Sequence, residues 1–224
     1  MPIVSFEQLP FARIANLLSF TFLLMSFLLL LRNSLAAQVR MFALQSAVLS
    51  ALAAVVAHFG GNTELFGVAV VFAIVKVIVI PNVLNRAVTK IGMQRAVAPY
   101  LGTSVTLAVC AALVVVAFYV MAPVTASRRL PTSDGIPLAF AGVLIGLFTT
   151  VNRRRALTQI LGFLMLENSI FMVALLTTYG VPLIVELGVF LDVLVAVLIL
   201  EVFIYRIKEN FDSIDLKHLG SLRG

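Results

Sequence analysis

Long apolar stretches, separated by short polar or basic segments, dominate this chain. Seven of them run at about residues 14–31, 41–59, 65–85, 100–122, 136–151, 157–178 and 183–205. A helix needs about 20 apolar residues to cross a hydrocarbon core about 30 Å thick, and the fifth run alone is short for that task. The runs are long and continuous, whereas a membrane barrel needs short alternating strands. Helices, which satisfy their own backbone groups, are therefore the spanning solution. The pattern predicts an all-α, polytopic membrane bundle of about seven transmembrane helices. Pro81 falls inside the third run, just beyond Lys76, and predicts a kink there. The segment Ala122 to Pro137 (APVTASRRLPTSDGIP) is the long polar loop of the chain. It divides a four-helix region (1–122) from a three-helix region (136–207) across a loop at 123–135, and a polar tail follows at 208–224.

Composition agrees with the pattern. The chain is 62% hydrophobic and 12% charged with a mean hydropathy of +1.12, against roughly half and a quarter for a soluble domain. So much apolar surface must face lipid or other membrane helices. No small-residue cleavage site follows Leu31, so the first run is expected to be a retained helix rather than a signal peptide. Cys110 is the single cysteine and lies in an apolar run. That excludes an intrachain disulfide or a thiolate-ligated cluster and leaves a packing role.

The basic residues orient the bundle. Seven spans place Arg13, Arg128 and Arg129 on one side of the membrane. The other side collects Arg32, Arg40, Arg86, Lys90, Arg95, Arg153, Arg154, Arg155, Arg206, Lys208, Lys217 and Arg223. With Lys76 inside the membrane these account for all 16 Lys and Arg. The positive-inside rule then puts the N-terminus outside and the C-terminus in the cytoplasm. The net charge of +6 is a topology signal, and without a basic domain with interleaved aromatics no nucleic-acid partner is expected.

Ionisable residues inside the spans carry the candidate chemistry. Glu167 is ten residues into the sixth run, Asp192 nine into the seventh and Lys76 eleven into the third. At 1.5 Å per residue these are depths of about 15, 13 and 16 Å, all near the midplane. A buried acid disfavours its charged form while a neighbouring cation favours it, and such opposed pulls suit a group that exchanges protons. Lys76, Glu167 and Asp192 therefore point to a proton or ion path. A lysine–carboxylate pair that merely staples helices is the alternative. Glu186, one turn into the seventh run, either lines the path or caps its helix. Glu201, near the inner interface, is either an inner gate or a partner for Arg206. His58, at the outer end of the second run, and His218, in the tail, read as ordinary interfacial and tail residues. Two separated histidines give no metal cluster. Nucleophile–base spacings and glycine-rich phosphate loops are absent too, so neither an autonomous enzyme nor a resident cofactor is expected.

The segment NRRRALTQILGFLMLENSIFMVALLTTYGVPLIVELGVFLDVLVAVLILEVFIYRIKENFDSIDL (Asn152 to Leu216) resembles the component E subunit of hydrogenase-4-type, formate-hydrogenlyase-like membrane complexes. The same three-helix region is similar to the small K subunit of respiratory complex I and to the C subunit of multisubunit cation/proton antiporters. The shared pattern is a basic inner loop, then a helix with Gly162 and Asn168 six apart, a second acidic helix, and Asp212-Ser213 ahead of a polar tail. It covers about 136–216; the first four helices resemble the component E group alone. The complex I relatives carry a membrane glutamate about four residues before the shared asparagine. Here Leu164 holds that place and the acid is Glu167, about 4.5 Å farther along a similar face. Asp192 falls within about one residue of the second family acid, shortened from glutamate.

The resemblance implies an integral, non-catalytic subunit of a complex-I-like, proton-translocating assembly in a bacterial or archaeal plasma membrane. Its partners would be antiporter-like membrane subunits and the membrane anchor of a hydrophilic redox arm, which would hold the redox centres. Two alternatives stand beside it. One is a subunit of a cation/proton antiporter without redox partners; the other is a structural scaffold whose buried charges specify helix pairing.

Overall fold

A computed structural model describes residues 8–90, 100–127 and 131–178. They form α1 (Gln8–Leu30), α2 (Leu35–Gly60), α3 (Thr63–Phe72), a π-helical stretch (Ala73–Val79), α4 (Ile80–Lys90), α5 (Thr103–Ser127), α6 (Gly135–Asn152) and α7 (Ala156–Thr178). Because α3, the π stretch and α4 are continuous, there are six helices long and apolar enough to cross a membrane, and no strand among the described residues. The chain is a multi-pass membrane protein. The seventh run, 183–205, lies outside the described residues, so the seven-span count rests on sequence.

Local signals explain where the helices start and stop. Ser34 caps α2, its side chain accepting from the Ala37 N–H at 3.2 Å. Gly61 ends α2 in the left-handed region (φ 63°), and Asn62 then caps α3 by accepting from the Leu65 N–H at 3.1 Å. Two expected boundaries shift. With its cap at Ser34, α2 starts at Leu35 rather than near 41, which places Arg40 on the helix instead of in the loop. At the other end of the chain's first half, α5 continues to Ser127 through Pro123, so residues 123–127 are helical and not part of the polar loop. A proline so near a helix end removes one backbone hydrogen bond without stopping the turn that follows.

Packing is closest where glycines allow it. In α6, Gly142 and Gly146 are four apart and face α7, the small-xxx-small spacing that lets membrane helices approach. A Cβ on Gly146 would lie 2.6 Å from the backbone nitrogen of Leu166, and one on Gly162 would lie 2.6 Å from that of Thr150. The fifth run, short for a span, thus becomes a helix buried inside the bundle between α1, α5 and α7.

The apolar core falls into two clusters. One holds Phe42, Ile80, Ile145 and Leu164; the other holds Leu49, Phe72, Ala139 and Phe171. Along α2, the π-containing span and α7, buried polar residues lie between these markers: Gln45 and Ser46, Lys76, then Glu167, Asn168 and Ser169. Polar side chains thus form a layer between two greasy ones.

Candidate functional site

Lys76 reaches this layer from the π-helical stretch. Pro81 has no N–H to donate, and its ring crowds the carbonyl four residues back, at Val77. The helix widens ahead of it, and the Ile80 N–H bonds the carbonyl of Val75, five residues back. Where the sequence predicts a kink, the structure shows a π-helical turn, a feature that often accompanies functional sites.

The Lys76 side chain is 1% exposed and its partner Glu167 2%. The ammonium donates to Glu167 Oε1 at 2.8 Å and to Asn168 Oδ1 at 3.1 Å. It also stands 4.8 Å from the centroid of the Phe72 ring, which packs edge-on against Phe171 at 4.4 Å. A carboxylate, an amide oxygen and a ring face therefore surround the cation, and each complements positive charge. Asn168 is oriented by its other end, since its Nδ2 donates to Ser46 Oγ on α2 at 2.9 Å. The third span, α7 and α2 are tied together at one level. Gly142 of α6 backs the neighbouring Ser169, whose Oγ would lie 2.6 Å from a Cβ there. The glycine seam therefore fixes α7 at the depth of the acid.

Two charges in such a setting need each other. Removing one member of a buried pair in a soluble protein costs about 3–5 kcal/mol, because the survivor is left uncompensated. A proton can pass between Nζ and Oε1 without any change in the net charge of the site. The arrangement can store a proton in either of two places, or it can lock two helices together.

Of the residues singled out in the sequence, Lys76 and Glu167 meet directly. Asp192, Glu186 and Glu201 lie outside the described residues. His58 is exposed at the end of α2, edge-on to Phe59. Among the described residues no three His, Cys, Asp or Glu side chains converge as a metal site. Sequence reasoning centred on ionisable groups passed over Ser46 and Phe72 and used Asn168 only as a landmark. The signal was present in the adjacent Gln45 and Ser46, two polar residues side by side in a largely apolar run.

The loop between α6 and α7 is anchored separately. Asn152 ends α6 and accepts the Leu101 N–H through Oδ1 at 3.0 Å, while its Nδ2 donates to Thr106 Oγ1 at 3.1 Å. Arg154 lies 4.6 Å from the centroid of the Tyr100 ring. Arg153 is buried, and burial pushes its guanidinium below the ordinary arginine range.

No protein-family profile matches the chain, and no solved structure does either. Curated proteins do. Hydrogenase-4 component E of Escherichia coli strain K12 is 25% identical over 151 residues, covering 67% of this chain and 70% of that protein, and the Shigella flexneri protein of the same name matches to the same extent. The uncharacterized protein Rv0085 of Mycobacterium tuberculosis is 39% identical over 201 residues, covering 89% of this chain and 91% of its own length. With identity and coverage of that order, the chain belongs to the family of Rv0085 and is a partial homologue of hydrogenase-4 component E.

Proposed function

We propose that this chain is an integral, non-catalytic subunit of a complex-I-like, hydrogenase-4-type membrane assembly. In it, Lys76 and Glu167 form part of a proton-translocation path. The observation that carries the proposal is the buried Lys76–Glu167 pair, midway along its two helices, with Lys76 on a π-helical turn. Buried charges in membrane helices are costly and usually mark ion or proton pathways. The homology to component E supports membership of a multisubunit assembly. Asp192, at matching depth in the seventh run, is the proposed next station, with Glu186 and Glu201 toward the two surfaces. Antiporter-like subunits and the anchor of a redox arm are the proposed partners, and the N-terminus is placed outside with the C-terminus in the cytoplasm of a bacterial or archaeal cell.

The test is Glu167→Gln in the assembled complex, which keeps shape and hydrogen bonding but removes titration. Assembly should persist while proton pumping coupled to turnover falls; Asp192→Asn should act likewise. The same 2.8 Å contact also suits a helix staple. If both variants, singly and together, assemble and pump at the wild-type level, the staple reading replaces the relay.

A further inference from the structure

One buried polar group in the layer has no role in the relay. Gln45, on α2, is 0% exposed and immediately precedes the Ser46 that holds Asn168. Its Nε2 donates to Ser26 Oγ on α1 at 2.6 Å, and Ser26 Oγ donates onward to the Phe22 carbonyl at 3.1 Å. The other amide atom, Oε1, is buried and meets no hydrogen-bond donor among the described residues. Turning the amide over only exchanges which atom is left, because Ser26 serves one of the two. Buried polar atoms in native proteins almost always find a protein or water partner. A leucine or methionine would fill the same space in an apolar span at no such cost, so a glutamine here calls for a ligand.

We propose that the Gln45 amide holds an internal water molecule. This water continues the hydrogen-bonded track from Lys76 and Glu167, through Asn168 and Ser46, to α1. The chemistry of the place selects water. The leftover amide oxygen needs a donor, and Ser26, the side chain that the amide does meet, is neutral and brings no carboxylate to balance a cation. Ser46 accepts from Asn168 and still has its own hydroxyl proton to give, and a water both accepts and donates, so the chain of donors stays unbroken across α2. The place of this water in a track rests on the relay reading of Lys76 and Glu167; the water site itself rests on Gln45.

The experiment uses the assembly purified from its native membrane, with Gln45→Met, Gln45→Glu and Glu167→Gln variants. A cryo-EM map that resolves ordered solvent should show a peak within hydrogen-bond reach of the wild-type Gln45 amide, absent in Gln45→Met. Gln45→Met should assemble and turn over but pump severalfold less per turnover, and Gln45→Glu, which still holds a water, should recover part of the loss. A wild-type map with no peak beside Gln45 overturns the site, and this holds even if Gln45→Met fails to assemble. Wild-type pumping by an assembled Gln45→Met, alongside failure of Glu167→Gln, overturns the track on α1 and α2 while the relay stands. An unaffected Glu167→Gln overturns the relay and, with it, the place of the water in a track.

Discussion

Replacing Lys76 by Met keeps the reach and apolar stem of the side chain and deletes the ammonium. Glu167, 2% exposed, then loses the cation 2.8 Å away, Asn168 loses a donor at 3.1 Å, and the Phe72 ring loses its charge. In soluble proteins, breaking a buried pair from one side costs about 3–5 kcal/mol. Polar contacts between membrane helices measure lower, roughly 0.6–2 kcal/mol, because separated helices also find partners. The acid can limit the loss by taking up a proton. With three contacts removed at once, the expected cost of Lys76→Met is about 2–4 kcal/mol. Adding Glu167→Gln removes the group that suffers, so the double variant should recover about 1–3 kcal/mol of the summed single losses. Titrating membranes with SDS and reading the midpoint of dissociation or unfolding for wild type, both singles and the double closes the cycle. Additivity within about 0.5 kcal/mol would show that the two side chains are not coupled and would refute the energetic importance of the pair.

Other consequences can be checked alongside. Asn168→Leu should cost about 1–3 kcal/mol in the same titration, because it strips a partner from both Lys76 and Ser46. Gly146→Val and Gly162→Val push a side chain into the backbone of the facing helix; each should cost at least about 1–3 kcal/mol and weaken disulfide cross-linking between cysteines introduced on α6 and α7. Gly67→Ala, with nothing within 4 Å of the new Cβ, is the matched control and should behave as wild type. A reporter fused after Gly224 should be cytoplasmic and one fused ahead of Met1 extracytoplasmic; both on one side would refute the seven-span topology.

The legible and the hidden parts of this protein differ in kind. Continuous apolarity announced the spans, and the α6 and α7 runs matched their helices to within a residue at each end because basic and polar residues flank both. The ends missed at α2 and α5 were set by one serine cap and by one proline that a helix end tolerates. Equal depth brought Lys76 and Glu167 into one argument, since charge at the midplane is too costly to be casual. Depth, however, says nothing of azimuth. Which side chains meet at a given level depends on how each helix is turned, and that is set by contacts such as Gly146 on Leu166, which involve two distant segments at once. The π-helical turn adds to the difficulty. It shifts the phase of every residue after it, and a count at 3.6 residues per turn through Ala73–Val79 puts later side chains on the wrong face. Neutral polar residues were lost for a simpler reason. A serine or glutamine carries no charge and can bond within its own helix or to a neighbour, so in sequence it draws attention only when several converge.

Electroneutrality limits what the pair can do alone. A proton that leaves Nζ of Lys76 for Oε1 of Glu167 converts an ammonium–carboxylate pair into an amine and a carboxylic acid, with zero net charge before and after. The neutral form escapes the cost of burying ions; the ionic form gains the Asn168 amide oxygen and the Phe72 ring, both of which favour the cation. These contacts hold the two side chains together, and a third charge arriving or departing nearby is what would move the proton between them. On the relay reading that third charge has to come from outside the pair, from Asp192 on the following run or from a partner subunit. Translocation then belongs to the assembly, even though the proton is held here. A fold that seals Lys76 and Glu167 between two apolar clusters, and anchors α7 on a glycine seam at their level, suits such a role: it keeps the pair buried and in register while leaving the trigger to a neighbour.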